Sequence, residues 1–211
     1  MPQTKKEAPQ SAYHHGDLRR ALVDAALALL EAGKEPTLRA VAREAGVSHT
    51  APYHHFPDRR ALMGAVAEEA LLGLRDATLA AEARGPAQPM AQLLEIGVAY
   101  VRFAVENPVR FRLMFSAELA ERSDLPGLRT ASAEAYGVLQ NAVRRMHGPA
   151  APEDVVAVTS LGAWSTVHGL AMLIMDDQVP SGKDPEVAAL IARQVLTGEV
   201  GMGGVPEEVR C

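Results

Sequence analysis

The sequence predicts an all-α chain, with a small N-terminal unit of three helices joined by one long helix to a larger helical bundle. Three observations carry this. Ala and aliphatic residues dominate, and aromatic residues make up only 4%. Apolar residues return every three or four positions, and no window alternates with the period of two that marks a strand. One stretch, 58–84, runs uninterrupted by proline and is long enough to join the two parts. The expected boundaries are 1–63 for the first unit, with 1–12 a flexible arm, then 64–198 for the second and a Gly-rich tail over 199–211.

Nine helices follow from caps and periodicity. The first covers 17–32, with Leu18, Leu22, Ala25, Ala26 and Leu29 on one face and Gly33 ending it. Thr37 is a good N-cap for the second, 37–45, whose apolar face is Leu38, Val41, Ala42 and Ala45. Gly46-Val47-Ser48 is a turn, and Ser48 can cap a third helix ending near Phe56. Pro52 lies inside that helix and removes one backbone donor, so a tight or partly 3₁₀ first turn is expected there. Asp58 caps the fourth, which reaches Arg84, a length of roughly 39 Å. The fifth covers 90–106. Asn107-Pro108, a cap followed by Pro at the first helical position, opens the sixth. The seventh covers 128–147, the eighth 155–176 and the ninth 186–197.

Composition narrows the function classes. The lone cysteine, Cys211, excludes an intrachain disulfide framework or a cysteine metal site. Residues 1–10 lack the apolar core of a signal peptide, and no apolar run approaches the ~18 residues of a membrane span. A soluble cytoplasmic protein without a membrane partner is expected. Net charge is −5, but residues 1–60 hold nine Lys/Arg against seven Asp/Glu, and five of the seven histidines. A mildly basic head on an acidic body fits a head that reads DNA. The pairs His14-His15 and His54-His55 are sequence neighbours. Side chains one residue apart on a helix diverge by about 100°, so neither pair suits a shared ion, and no metal site is expected. Ser165 and His168 lie three apart on the eighth helix, but a catalytic serine needs an exposed strained turn beside free backbone donors. No Gly-rich phosphate loop or zinc-protease pattern occurs either, so no enzyme and no cofactor is expected.

The strongest signal lies in 37–56: a short capped helix, a Gly turn, and a second short helix, the pattern of a helix-turn-helix. The outward candidates of the second helix are His49, Thr50, Tyr53 and His54, with Ser48 at its start. Hydroxyls and imidazoles can bond phosphates or base edges, though each could equally be plain surface. Phe56 is expected in the core of the head. The pattern Gly46-Val47-Ser48-x4-Tyr53-x-His55-Phe56-x-Asp58-Arg59-x2-Leu62 resembles the signature of TetR-family repressors, and the likeness extends upstream through Thr37-x-Arg39 and Val41-Ala42. Arg59 stands where that family usually has Lys, which implies a phosphate contact at the start of the fourth helix. Tyr13-His14-His15-Gly16-Asp17-Leu18 and the Pro in the reading helix resemble a subgroup of the family, and so does Trp164-x3-His168-Gly169.

The body carries shorter motifs. The eighth helix shows a large stripe of Leu161, Trp164, His168, Met172 and Met175, suited to inward packing, and a small stripe of Gly162, Thr166 and Gly169. The ninth places Val187, Leu190, Ile191 and Val195 on one face. Both helices are too apolar all round for one-sided packing, which predicts a four-helix bundle with the same helices of a second subunit. Asn107-Pro108, Phe111-Arg112-Leu113-Met114-Phe115 and Trp164-x3-His168-Gly169 resemble the ligand-binding part of the same subgroup. The resemblance implies an apolar pocket with Tyr100, Phe103, Met114, Phe115, Trp164, His168 and Met172 as candidate lining, the alternative for each being plain core. It implies a homodimeric regulator on a double-stranded DNA operator, a repressor released by a small apolar or amphipathic effector. The competing expectation is a nucleoid- or division-associated DNA-binding protein with no effector.

Overall fold

The computed structural model of the chain describes residues 15–198, whose regular elements are all helical. Eight α-helices follow one another: α1 (His15–Glu31), α2 (Leu38–Glu44), α3 (Arg59–Arg84), α4 (Pro89–Glu106), α5 (Pro108–Met114), α6 (Pro126–His147), α7 (Glu153–Met175) and α8 (Pro185–Thr197). Two 3₁₀ turns lie at Ala51–His54 and Ala117–Leu119. The all-α expectation holds. The arm expected over 1–12 and the tail over 199–211 lie outside the described residues.

The described chain divides between Leu62 and Met63 into two compact units. In the first, Leu22, Val23, Ala26 and Leu29 of α1 are buried together with Leu38, Val41 and Ala42 of α2. In the second, α4 is the hub and packs on α5, α6, α7 and α8. Ile96 of α4 meets Val138 and Ala142 of α6, with Leu93 packed beside them. Small residues let α8 approach closely: its buried positions are Ala188 and Ala192. Gly97 of α4 lies so near that a Cβ there would stand 2.6 Å from Leu196 Cδ1. α3 crosses the boundary, its residues 59–62 belonging to the first unit and 63–84 to the second.

Three expectations are corrected. The helix expected over 48–56 is only the 3₁₀ turn Ala51–His54, and Ser48 caps no helix. Pro52 has no N–H to return to Ser48, and its ring would crowd that carbonyl, so an α-helical turn cannot form across it. Asn107 does not cap α5 with its side chain; its Nδ2 donates to Phe103 O at 3.1 Å and closes the end of α4 instead. The expectation that no run is apolar enough to span a bilayer fails for α7, whose 23 residues include an 18-residue window of mean hydropathy 1.3 and meet that test by length and composition. A core helix of a water-soluble protein also meets it when most of its surface is covered; here much of α7 is exposed in the single chain, including Val158 at 71%, Leu161 at 54% and Leu173 at 51%.

Candidate functional site

The reading segment of the first unit is held from behind by its backbone. Thr37 accepts from the Ala40 N–H at 3.2 Å and so caps α2. The far end of α2 closes in a Schellman turn, with Val47 N–H on Ala42 O at 2.9 Å and Gly46 N–H on Arg43 O at 3.2 Å. Gly46 has φ +69° and open space where a Cβ would be, so the demand for glycine is conformational rather than steric. The chain then tightens: Ala51 N–H bonds Ser48 O, and the His55 and Phe56 N–H groups share Pro52 O at 3.0 and 2.8 Å. Pro52 and Phe56 are buried, and the Arg19 guanidinium lies 5.4 Å over the Phe56 ring.

Between these anchors Ser48, His49, Thr50, Tyr53 and His54 are all exposed, Tyr53 by 55%. The Ser48 and Thr50 hydroxyls lie 3.1 Å apart. Thr37 and Arg39 are exposed as well. Asp58 caps α3 by accepting from the Ala61 N–H at 2.7 Å, which sets Arg59 at the start of that helix. Arg59 is half-buried, its Nε 3.9 Å from Glu35 Oε1. The segment thus presents hydroxyl, phenol and imidazole groups outward, the set that bonds phosphate oxygens and base edges.

The second unit holds a partly open cavity of about 1050 Å³ walled by residues of α3, α4, α6, α7 and α8. Of the seven candidate lining residues, Tyr100, Phe115 and Trp164 stand in the wall. Phe103, Met114, His168 and Met172 do not. Phe103 lies behind it against Gly73, Met114 is fully buried, and Met172 sits more than a turn beyond Val167, the last α7 residue of the wall. His168 instead supports the wall. Tyr100 Oη lies 2.9 Å from His168 Nδ1 and accepts from Trp164 Nε1 at 3.0 Å. Phe111 and Phe115 pack on the imidazole, their centroids 5.7 and 4.7 Å away. Burial pushes the Tyr100 phenol well above its ordinary pKa, a shift partly opposed by the indole N–H, and burial pulls His168 below the usual imidazole value. Both groups are thus neutral, and the phenol donates to Nδ1 in the tautomer that carries its proton on Nε2.

The family resemblance pointed to the aromatic wall but missed the α6 face. Arg129, Ser132, Ala133, Tyr136 and Leu139 recur at helical spacing and all line the cavity, joined by Arg122 from the preceding loop and Leu196 from α8. The 3–4 spacing was there to be read, but its mixed polarity hid it. Ser165, the serine weighed as a nucleophile, is exposed on α7, while His168 turns Nδ1 to Tyr100. Among the described residues no three His, Cys, Asp or Glu side chains converge as a metal site would require.

Known proteins resemble the chain in both units. Residues 22–66 match the family described as bacterial regulatory proteins, tetR family, and residues 93–197 match the tetracyclin repressor-like C-terminal domain. A protein of unknown function from Rhodococcus sp. RHA1 is 32% identical, with a TM-score of 0.70 over 90% of this chain and 98% of its own. The TetR family transcriptional regulator PfmR from Thermus thermophilus shares the fold at 23% identity, with a TM-score of 0.60 over 85% of this chain and 98% of its own. A bacterial regulatory protein in the tetR family from Rhodococcus RHA1 shares it at 21% identity, with a TM-score of 0.62 over 87% and 96%. No curated protein matches the chain. With a helix-turn-helix unit and a helical C-terminal unit both matching, the chain belongs to the TetR family of DNA-binding transcriptional regulators.

Proposed function

We propose that the chain is a homodimeric repressor that leaves its operator when a small apolar or amphipathic effector enters the C-terminal cavity. The observation that carries this reading is the cavity itself, about 1050 Å³ and lined mostly by apolar and aromatic side chains, in a chain of a DNA-binding family. A concave, mostly apolar pocket of that size with a few polar groups is the usual form of a small-molecule site. It weighs against an effector-free nucleoid protein, for which a solid bundle would serve.

In this reading residues 1–63 bind DNA and 64–198 bind effector and partner. Ser48, His49, Thr50, Tyr53 and His54 meet base edges and phosphates, while Thr37, Arg39 and Arg59 hold the backbone. The partner subunit covers the exposed apolar residues of α7 and α8, among them Val158, Leu161, Leu173, Leu190 and Val195. The outward row Gly162, Thr166 and Gly169 allows close helix approach, since a Cβ at either glycine would meet nothing within 4 Å in the single chain. Two reading segments would then face successive major grooves about 34 Å apart on a near-palindromic site. The coupling runs through α3. Its first residues carry Arg59, and Leu71, Leu74 and Thr78 further along the same unbroken helix line the cavity. An effector that tilts α3 by pressing on these residues would change the spacing of the two reading segments, for a coupling of about 1–3 kcal/mol.

Footprinting the purified chain on the DNA upstream of its own gene, across a salt series and beside scrambled DNA, tests the proposal. A protected site with two related halves is the expected result. Equal, salt-sensitive binding to both DNAs would overturn it.

A further inference from the structure

The charged side chains in the cavity wall are both cations. Arg122 and Arg129 line it, and among the described residues no Asp or Glu does. Arg122 is also treated unlike several other arginines of this unit. Arg75 pairs with Glu134, Arg102 with Glu106 and Glu186, Arg112 with Asp176, and Arg193 with Glu95. Arg122 bonds only neutral oxygens: Leu119 O at 3.1 Å, Met114 O at 2.7 Å and Ser132 Oγ at 2.7 Å. These bonds fix the guanidinium in place but leave its charge uncompensated. Burial accordingly pulls it below its usual pKa with no acidic neighbour to oppose the shift. Three of five N–H donors are used, leaving one on each terminal nitrogen. Ser132, which accepts from Arg122, keeps its own O–H for a further acceptor.

The rest of the wall grades away from this corner. Along α6 the lining passes from Arg129 through Ser132 and Tyr136 to Leu139, about 15 Å of helix. A cation placed at that corner would meet like charge, and a neutral molecule would leave the partly desolvated Arg122 guanidinium without a counter-charge.

Resting on the reading of the cavity as the effector site, we infer that the effector is an anionic amphiphile, an elongated apolar body ending in a carboxylate that Arg122 and Ser132 receive. The carboxylate supplies the missing counter-charge, and its body lies along the apolar part of the wall.

Trp164 is the chain's one tryptophan and stands in the wall, so its fluorescence reports occupancy directly. The unaltered chain is titrated below micellar concentrations with laurate, dodecanol and dodecylamine, which share a chain and differ in headgroup. Laurate is expected to bind on the order of tenfold more tightly than dodecanol, as a charge-assisted hydrogen bond implies, with dodecylamine the weakest. Arg122→Gln should bring laurate to the affinity of dodecanol and leave dodecanol unchanged, while Arg122→Lys keeps part of the preference. Equal affinity for laurate and dodecanol, or a preference for dodecylamine, would overturn the inference and leave the cavity an effector site for another headgroup. Binding of none of the three would overturn the effector-site reading along with it. The headgroup comparison needs no variant, so it decides the matter even where Arg122→Gln loosens the loop that Arg122 ties to α6.

Discussion

The two units handle polar groups in opposite ways. In the first, Ser48, His49, Thr50, Tyr53 and His54 point outward from a backbone braced by Thr37, Gly46, Pro52 and Phe56, and most of their donors and acceptors are open to solvent. In the second, Trp164, Tyr100 and His168 bond one another, and Arg122 spends three N–H groups on neutral oxygens, so the cavity wall is already largely satisfied. A surface that reads the edges of another molecule has to keep its hydrogen bonds available. A wall that takes an apolar body has to use its own up, because an unmet donor facing such a ligand costs as much as one in the core. Arg122 is the exception in the second unit, keeping unused donors and an unanswered charge.

The contrast can be broken most severely at α7. Replacing Val158 and Leu161 together by Glu should give a monomer by sedimentation and lower operator affinity by about a hundredfold or more, since the two half-sites lose their linkage. Far-UV circular dichroism should stay unchanged, both side chains being exposed in the single chain. Gly46→Val comes next. A β-branched residue at φ +69° should cost about 2 kcal/mol in thermal or urea unfolding and weaken operator binding with it. Gly46→Asn should cost distinctly less, because the strain is in the backbone and no neighbour is struck. Tyr100→Phe should cost about 1–2 kcal/mol in the same assay, for it strips the partner from both Trp164 Nε1 and His168 Nδ1.

The smallest effect sharpens the second unit alone. His168 titrates below its ordinary 6.5 in the folded chain because burial favours the neutral ring. The unfolded chain therefore takes up protons first as pH falls. Its contribution to stability is complete above about pH 6.5 and is lost as pH drops from there through the folded value. Urea midpoints followed from pH 8 to 5 should fall through that window, and His168→Asn should flatten the slope.

What could be read from sequence follows distance along the chain. The Thr37 and Asp58 caps and the turn at Gly46 act on neighbours three to five residues away, so their residue types announce them. Pro52, lacking an N–H, announced the 3₁₀ turn, but the surrounding pattern wrongly extended it to a full helix over 48–56. Asn107 misled too, since one amide can serve the helix behind it or the helix ahead. In the second unit aromatic residues at helical spacing announced that something packs, but not on which side of the wall. Tyr100 and Trp164 meet across 64 residues of sequence, and Phe103 and His168 turn away from a space that only five converging helices define. Arg122 carried no local signal, because its meaning lies in the acidic partner it lacks.

The central claim is that filling this cavity weakens the grip on DNA, and operator affinity measured against cavity occupancy tests it most directly. A labelled operator fragment is titrated with the chain at rising laurate, while Trp164 fluorescence records how full the cavity is. Operator affinity is predicted to fall by about 5- to 150-fold in step with Trp164 saturation, and to fall less in Arg122→Gln at the same laurate concentration. A cavity seen to fill completely while operator affinity stays constant would contradict the account.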